Sequence, residues 1–163
     1  MDFRKQAIKT SVVACVIDDR ERVLLTRRCI EPFCSRWVMP GGKIDHGESI
    51  LAALHREVRE EVGLEIHVEG LIDVFEHLGV GIRNDHFVIL YYRCTPQSNI
   101  VVPNGEECTE AVWAPRDWLP KMDLPPGCRH ILSLVFPGLP WGETARPEEP
   151  EAEIPGLREE NGT

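Results

Sequence analysis

Residues 41–66, "GGKIDHGESILAALHREVREEVGLEI", limit what this chain can become more than any other stretch. Ser49 is a good helix N-cap and Gly63 a good C-terminal stop, so the spacing predicts a helix running to about Val62. On a helical wheel Leu51, Leu54, Val58 and Val62 share one stripe, and Glu57, Glu60 and Glu61 form an adjoining one. Ala53 falls inside the acidic stripe, where its small side chain leaves room. Glutamates at i, i+3 and i+4 repel, each pair destabilising an isolated helix by about 0.2–0.5 kcal/mol. Charge runs are commonly just solvated faces, and Arg56 with Glu60 has the spacing of an ordinary surface ion pair. The second reading is a hard-cation site. Magnesium takes oxygen ligands, typically a few carboxylates plus substrate phosphates. Three carboxylates beside a glycine turn with exposed carbonyls meet that demand, and a bound cation removes their repulsion.

The flanking residues supply strands. Residues 11–19, "SVVACVIDD", are β-branched and end in a polar turn; residues 22–28, "RVLLTRR", resume as a strand, and the two read as a hairpin turning near residues 18–21. A short strand over residues 37–39 is stopped by Pro40, Gly41 and Gly42. Residues 64–78 read as a strand with Gly70 at a bulge or bend. Residues 84–95, "NDHFVILYYRCT", are apolar on both faces, which predicts a central strand. "TEAVWAP" gives a short strand, "APRDWLP" a turn of helix, and "PPGCRHILSLVF" a second packed helix using Ile131, Leu132, Leu134 and Val135.

The chain has 163 residues, enough for one domain with a real core. The expected division is a folded domain over residues 1–137 and an acidic, Pro/Glu-rich, disordered tail over 138–163. From Pro137 onward there are seven Glu against two Arg, which accounts for more than half of the net charge of −9. An acidic chain is ill suited to non-specific duplex binding, which needs a basic face, so no duplex nucleic acid is expected as partner. A small anionic substrate remains compatible, because a divalent cation brings positive charge. No apolar run approaches the roughly 20 residues of a membrane span, and the N-terminus lacks a signal-type apolar core. The expectation is a cytoplasmic protein. None of the six cysteines forms a C-x-x-C pair, and reduced, mostly buried thiols are expected.

Gly42, then five residues, Glu48, then seven residues, then "REVREEVGL" from Arg56 to Leu64 matches the Nudix box, G-x5-E-x7-R-E-U-x-E-E-x-G-U, at all nine defined positions over 23 residues. The chain therefore resembles the Nudix hydrolase family over about residues 8–136. The resemblance implies an α/β fold, an α/β/α sandwich with a mixed β-sheet between helices. It implies hydrolysis of a nucleoside diphosphate linked to a group X, with Mg2+ or Mn2+ as cofactor. Carried over by position, Glu57, Glu60 and Glu61 and the Gly41 carbonyl are expected to hold metal. Arg56 is expected to orient one of the glutamates, and Glu48 to support the site from the preceding loop. Glu57 is the first choice for general base, with Glu60 and Arg56 in the catalytic set. Some members place a glutamate on a later loop, where Glu107 and Glu110 stand; Glu110, three residues before Trp113, is the choice there. Arg27 and Arg28 are candidates for substrate phosphate, at most one of them on any single face of a strand. Trp37 is a candidate for lining the pocket, with Phe75, His77 and His86 as further aromatic candidates.

The group X is read by residues outside the box. A proline about 16 residues past it, frequent in ADP-ribose hydrolases, has no counterpart near Val80, and the Pro/Trp-rich motif of NADH-type enzymes is absent. "LLTRR" at residues 24–28 matches only part of the coenzyme A-type signature. A nucleoside triphosphate or related nucleotide of the housecleaning type is the leading expectation. An ADP-ribose or nucleotide-sugar hydrolase and a non-catalytic nucleotide sensor are the alternatives. Dimers are common in the family, so a homodimer is compatible.

Overall fold

The fold is described from a computed structural model, which covers residues 7–31, 33–79 and 85–142. Residues 1–6, 32, 80–84 and 143–163 lie outside it, so the expectations for the extreme N-terminus, for the missing proline near Val80, for Asn84 at the start of a strand and for most of the acidic tail fall outside the described residues.

The elements run β1 (Lys9–Val16), β2 (Val23–Arg28), β3 (Trp37–Val38), β4 (Gly41–Lys43), α1 (Ile50–Val62), β5 (Ile66–Leu78), β6 (His86–Pro96), β7 (Cys108–Ala114) and α2 (Pro126–Val135), with a 3-10 helix at Arg116–Lys121. One sheet has the order β4-β1-β6-β5 and a second the order β3-β2-β7. The first is mixed: β1 runs parallel to β6, while β4 pairs antiparallel with β1 and β5 antiparallel with β6. β6 is an interior strand, as its unbroken apolar run requires. The β5–β6 register slips between Val68 and Gly70, where the glycine marks a bulge.

Strand alternation builds the sandwich. Val12, Ala14 and Val16 of β1 and Leu24 of β2 pack with Leu54, Val58 and Val62 of α1. The intervening Cys15, with Val23 and Leu25, packs instead with Ile131 and Leu132 of α2. Successive side chains of one strand thus feed two cores on opposite faces, giving an α/β/α arrangement. Each such fully buried Leu, Ile or Val contributes roughly 1.5–3 kcal/mol. All six cysteines are free, and Cys15, Cys94, Cys108 and Cys128 are buried. Trp141 packs on the second core, its indole N–H donating to the Phe136 carbonyl at 2.8 Å.

Three sequence expectations change. β1 and β2 are not a paired hairpin: only an Ile17–Val23 bridge joins them before they enter different sheets. Asp18 makes that turn, accepting the N–H groups of Arg20 and Arg22 on one carboxylate oxygen. The short strand does end before Pro40, at Val38, but Gly41 and Gly42 are not mere turn residues: they form β4, opposite Val13 and Val12. On α1, Ala53 is fully buried and Leu51 is 44% exposed, because the neighbouring sheet covers a face rotated from the one the apolar residues alone indicate.

Candidate active site

Helix α1 is fixed in phase at both ends. Ser49 Oγ accepts the Ala52 N–H at 3.2 Å, and Gly63 closes the helix in the left-handed region at φ 66°, donating to the Arg59 carbonyl. That phase turns Glu57 and Glu61 inward, 8% and 4% exposed, while the Glu60 side chain stays about half exposed at the rim.

Arg56 ties the acidic face to the loop before it. Its guanidinium holds both Glu48 oxygens, at 2.7 and 2.8 Å, and donates to Glu57 Oε1 at 2.9 Å, Glu60 Oε2 at 3.2 Å and the Lys43 carbonyl at 3.2 Å. These charge-assisted bonds are the stronger class. They hold the Glu48 carboxyl down at about 2. Arg56 therefore couples the site to loop and helix alike.

The two glycines of β4 fit this site for a steric reason. A Cβ on Gly42 would lie 2.4 Å from the Glu57 carboxylate, and one on Gly41 would lie 2.3 Å from the Val12 carbonyl oxygen. Gly42 thus lets a carboxylate lie against the strand, and Gly41 lets β4 pair closely with β1. The Gly41 backbone amide counters part of the rise in the Glu61 carboxyl's pKa.

A third carboxylate arrives from far along the chain. Glu57, Glu61 and Glu107 each offer an oxygen, all within 4.8 Å of one another. Asn104 Oδ1 accepts the N–H groups of Glu106, Glu107 and Cys108, and the Asn104 N–H donates to the Glu61 carbonyl at 2.9 Å. This Asx-type turn docks the loop onto the end of α1 and aims Glu107 at the helix. Burial pushes the Glu61 carboxyl up to about 9, with the Glu107 and Glu57 charges adding to it. Burial also raises Glu57, against the pull of Arg56. Three crowded, partly desolvated carboxylates are a hard oxygen donor set, suited to a magnesium- or manganese-type cation that would favour their ionised forms.

A cleft of about 450 Å³ runs away from the carboxylates, with Glu57, Glu107, Gly41, Gly42, Arg28 and Lys43 at its acidic end. The sequence candidates divide around it. Arg28 lines it, as does His77. Arg27 points to the opposite face of β2 and pairs with Glu110 at 3.3 Å. Glu110 is therefore about half exposed and apart from the carboxylate cluster; Glu107 takes that place. Glu107 stands in the turn just before β7, which Asn104 docks on the end of α1, while Glu110 lies within β7 and pairs with Arg27 instead. Trp37 packs in the second core rather than along the cleft. Phe75 also belongs to that core, and His86 pairs with Glu76 at 2.8 Å. The Asn104-Gly105 pair was a legible turn signal upstream of Glu107, but nothing local in it pointed to Glu61.

Comparison with known proteins agrees with this fold. The NUDIX domain profile matches residues 8–135. The zebrafish (Danio rerio) protein named 8-oxo-dGDP phosphatase NUDT18 is 32% identical over 141 residues, covering 83% of this chain and 41% of that protein. The chain thus spans about two fifths of that relative's length. The Bacillus subtilis (strain 168) protein named uncharacterized Nudix hydrolase YvcI is 30% identical, covering 78% of this chain and 79% of that one. Among solved structures, a MutT NUDIX hydrolase from Burkholderia pseudomallei superposes with a TM-score of 0.72 at 27% identity, over 79% of this chain and 98% of its own.

Proposed function

The chain belongs to the Nudix hydrolase family, and on that premise we propose that it is a divalent-metal-dependent pyrophosphohydrolase acting on a nucleoside diphosphate bearing a further group. The observation that carries this reading is the convergence of Glu57, Glu61 and Glu107 at the foot of a nucleotide-sized cleft. These three, with the Gly41 carbonyl and with Glu60 from the rim, would hold Mg2+ or Mn2+. When bound, such ions neutralise phosphate charge and lower the pKa of water.

The chain's own groups do the rest. Arg56 occupies Glu57 Oε1, which leaves Oε2 to take the proton of an attacking water. The water oxygen bonds to phosphorus and the bridging P–O bond breaks, with the leaving phosphate carrying away the electron pair. Arg28 and Lys43, both on the cleft wall, meet the phosphate oxygens. Glu48 holds Arg56 in place.

The substrate class we favour is a purine nucleoside di- or triphosphate, including oxidised forms, in line with the printed name of the zebrafish relative. ADP-ribose and nucleotide sugars are the competing class. Free cysteines throughout accord with a reducing, cytoplasmic setting. Among the described residues, no helix is long and apolar enough to cross a membrane.

Phosphate release across dNDPs, dNTPs, their 8-oxo forms, ADP-ribose and nucleotide sugars, with Mg2+ or with EDTA, tests this. Turnover should require the metal and favour the purine nucleotides. Glu60→Gln should remove most metal-dependent turnover and leave melting unchanged, because that side chain is at the surface. No hydrolysis of any substrate alongside tight nucleotide binding would replace the enzyme with a sensor.

A further inference from the structure

The end of the cleft away from the carboxylates carries a charged pair on an aromatic row. Lys9, Phe87 and His77 lie side by side across β1, β6 and β5, since Lys9 pairs with Phe87 and Phe87 with His77. All three line the cleft, as do Phe33 and Asp85. Lys9 Nζ sits 2.8 Å from Asp85 Oδ1 and 5.2 Å from the centre of the Phe87 ring. Phe33 meets His77 edge-on at 5.4 Å. Burial lowers the His77 pKa, so at neutral pH the ring is an uncharged aromatic wall.

The spacing suits one nucleotide. Gly41, at the acidic end, pairs with Val13. Lys9 lies four residues back along the same strand, about 13 Å at roughly 3.3 Å per residue. A nucleotide stretched with its phosphates at Glu57 and Glu107 puts its base on the Phe87 row.

We propose that Lys9 and Asp85 read the Watson–Crick edge of a guanine-type base stacked against Phe33, His77 and Phe87. This rests on the reading of the cleft as a nucleotide site. Guanine offers an acceptor at O6 and two adjacent donors, N1–H and the 2-amino group. The Lys9 ammonium donates to O6, and the Asp85 carboxylate accepts both donors. Adenine reverses the pattern: its 6-amino group meets the ammonium and its N1 lone pair meets the carboxylate. Uracil and thymine turn O2 toward the carboxylate where guanine offers the amine. Oxidation at C8 leaves the Watson–Crick edge unaltered, so this pair selects 6-oxo-2-aminopurines whether or not C8 is oxidised. The two side chains are 41% and 27% exposed, open enough to be reached from the cleft.

The test measures kcat/KM of the full chain for dGDP, 8-oxo-dGDP, dIDP and dADP, and Kd for the matching monophosphates. The wild type should prefer both guanine forms over dADP. dIDP, which lacks the 2-amino group, should fall between. Asp85→Asn and Lys9→Met should each lower the guanine-to-adenine ratio about ten- to hundred-fold, the worth of one well-made base contact, with the change carried by KM. The Kd arm separates this proposal from the activity. A chain that hydrolyses nothing but binds dGMP over dAMP through Lys9 and Asp85 upholds base reading and sinks catalysis. Equal treatment of guanine and adenine by the wild type, or a ratio unmoved in both variants, overturns the proposal and reduces the pair to a surface tie between β1 and β6.

Discussion

Gly42→Ala separates catalytic placement from folding more cleanly than loss of any charge. The added Cβ would stand 2.4 Å from Glu57 Oε2 and 2.6 Å from Oε1, where ordinary contact begins at 3.4 Å. The carboxylate must therefore retreat by about 1 Å, a misplacement that costs on the order of 100-fold in rate, or ~2.7 kcal/mol of transition-state stabilisation. What moves is the end of a side chain. The folded state loses at most the Arg56–Glu57 bond, about 1.5–3 kcal/mol, partly offset by ~0.4–1 kcal/mol from a stiffer unfolded chain. At 2–4 °C per kcal/mol for a chain of this size, melting should drop by no more than about 10 °C. Gly41→Ala is the control. Its Cβ would meet the Val12 carbonyl oxygen at 2.3 Å and Val13 Cα at 2.7 Å, both backbone. Neither can rotate away, so β4 must part from β1, at about 3 kcal/mol or more. The assay is phosphate release over a magnesium titration, paired with thermal melts. Gly42→Ala that keeps turnover within about threefold of wild type would refute the placement of Glu57 in the chemistry. So would a loss of activity matched by a Gly41→Ala-sized loss of stability.

Other outcomes follow from the same geometry. Glu107→Gln should lower turnover at least ~100-fold and raise the magnesium concentration needed for half-maximal rate, as expected for loss of a directly engaged carboxylate. Glu110→Gln should change stability by no more than about 0.5 kcal/mol and leave turnover near wild type, since its exposed pair with Arg27 contributes little. Arg56→Lys keeps the charge but cannot span Glu48, Glu57, Glu60 and the Lys43 carbonyl together, so kcat should fall about tenfold or more while Mg2+ still binds. Wild-type-like kcat in that variant would argue against Arg56 as the orienting group. Glu61 has a folded pKa raised to about 9, so its contribution to stability is full below the ordinary carboxylate range and lost as pH rises through 9. Metal-free protein should therefore melt lower at pH 10 than at pH 7 in part through Glu61, and the fall should flatten in Glu61→Gln. Glu48 has the opposite sign: held at about 2 by Arg56, it stabilises above the ordinary carboxylate range and loses that contribution as pH drops toward 2. A melting profile of Glu48→Gln that is as acid-sensitive as wild type would count against that coupling.

Much of this was legible because it is local. The cap at Ser49, the stop at Gly63 and the i, i+3, i+4 spacing of Glu57, Glu60 and Glu61 concern residues that a helix brings together by itself. The apolar run of β6 announces an interior strand, and Gly70 announces a bulge. Pairing across distance was not legible. Whether Gly41 and Gly42 end a strand or form one depends on β1 arriving beside them. Whether β2 pairs with β1 or leaves for a second sheet is settled by β7, more than eighty residues later in the chain. The choice between Glu107 and Glu110 turned on which of two nearby carboxylates a docked loop aims at α1, and sequence spacing carries no term for that.

The sequence by itself determined one helix with three acids on a flank and a glycine pair ahead of it, since backbone periodicity and capping chemistry act within a few residues. Only the tertiary structure decided that Glu107 joins them and that Glu60 stays at the rim. Only the tertiary structure set Lys9 and Asp85 at the far end of the same cleft. Those relations depend on strand order and on which face each element buries, which the chain fixes only when the whole core packs at once.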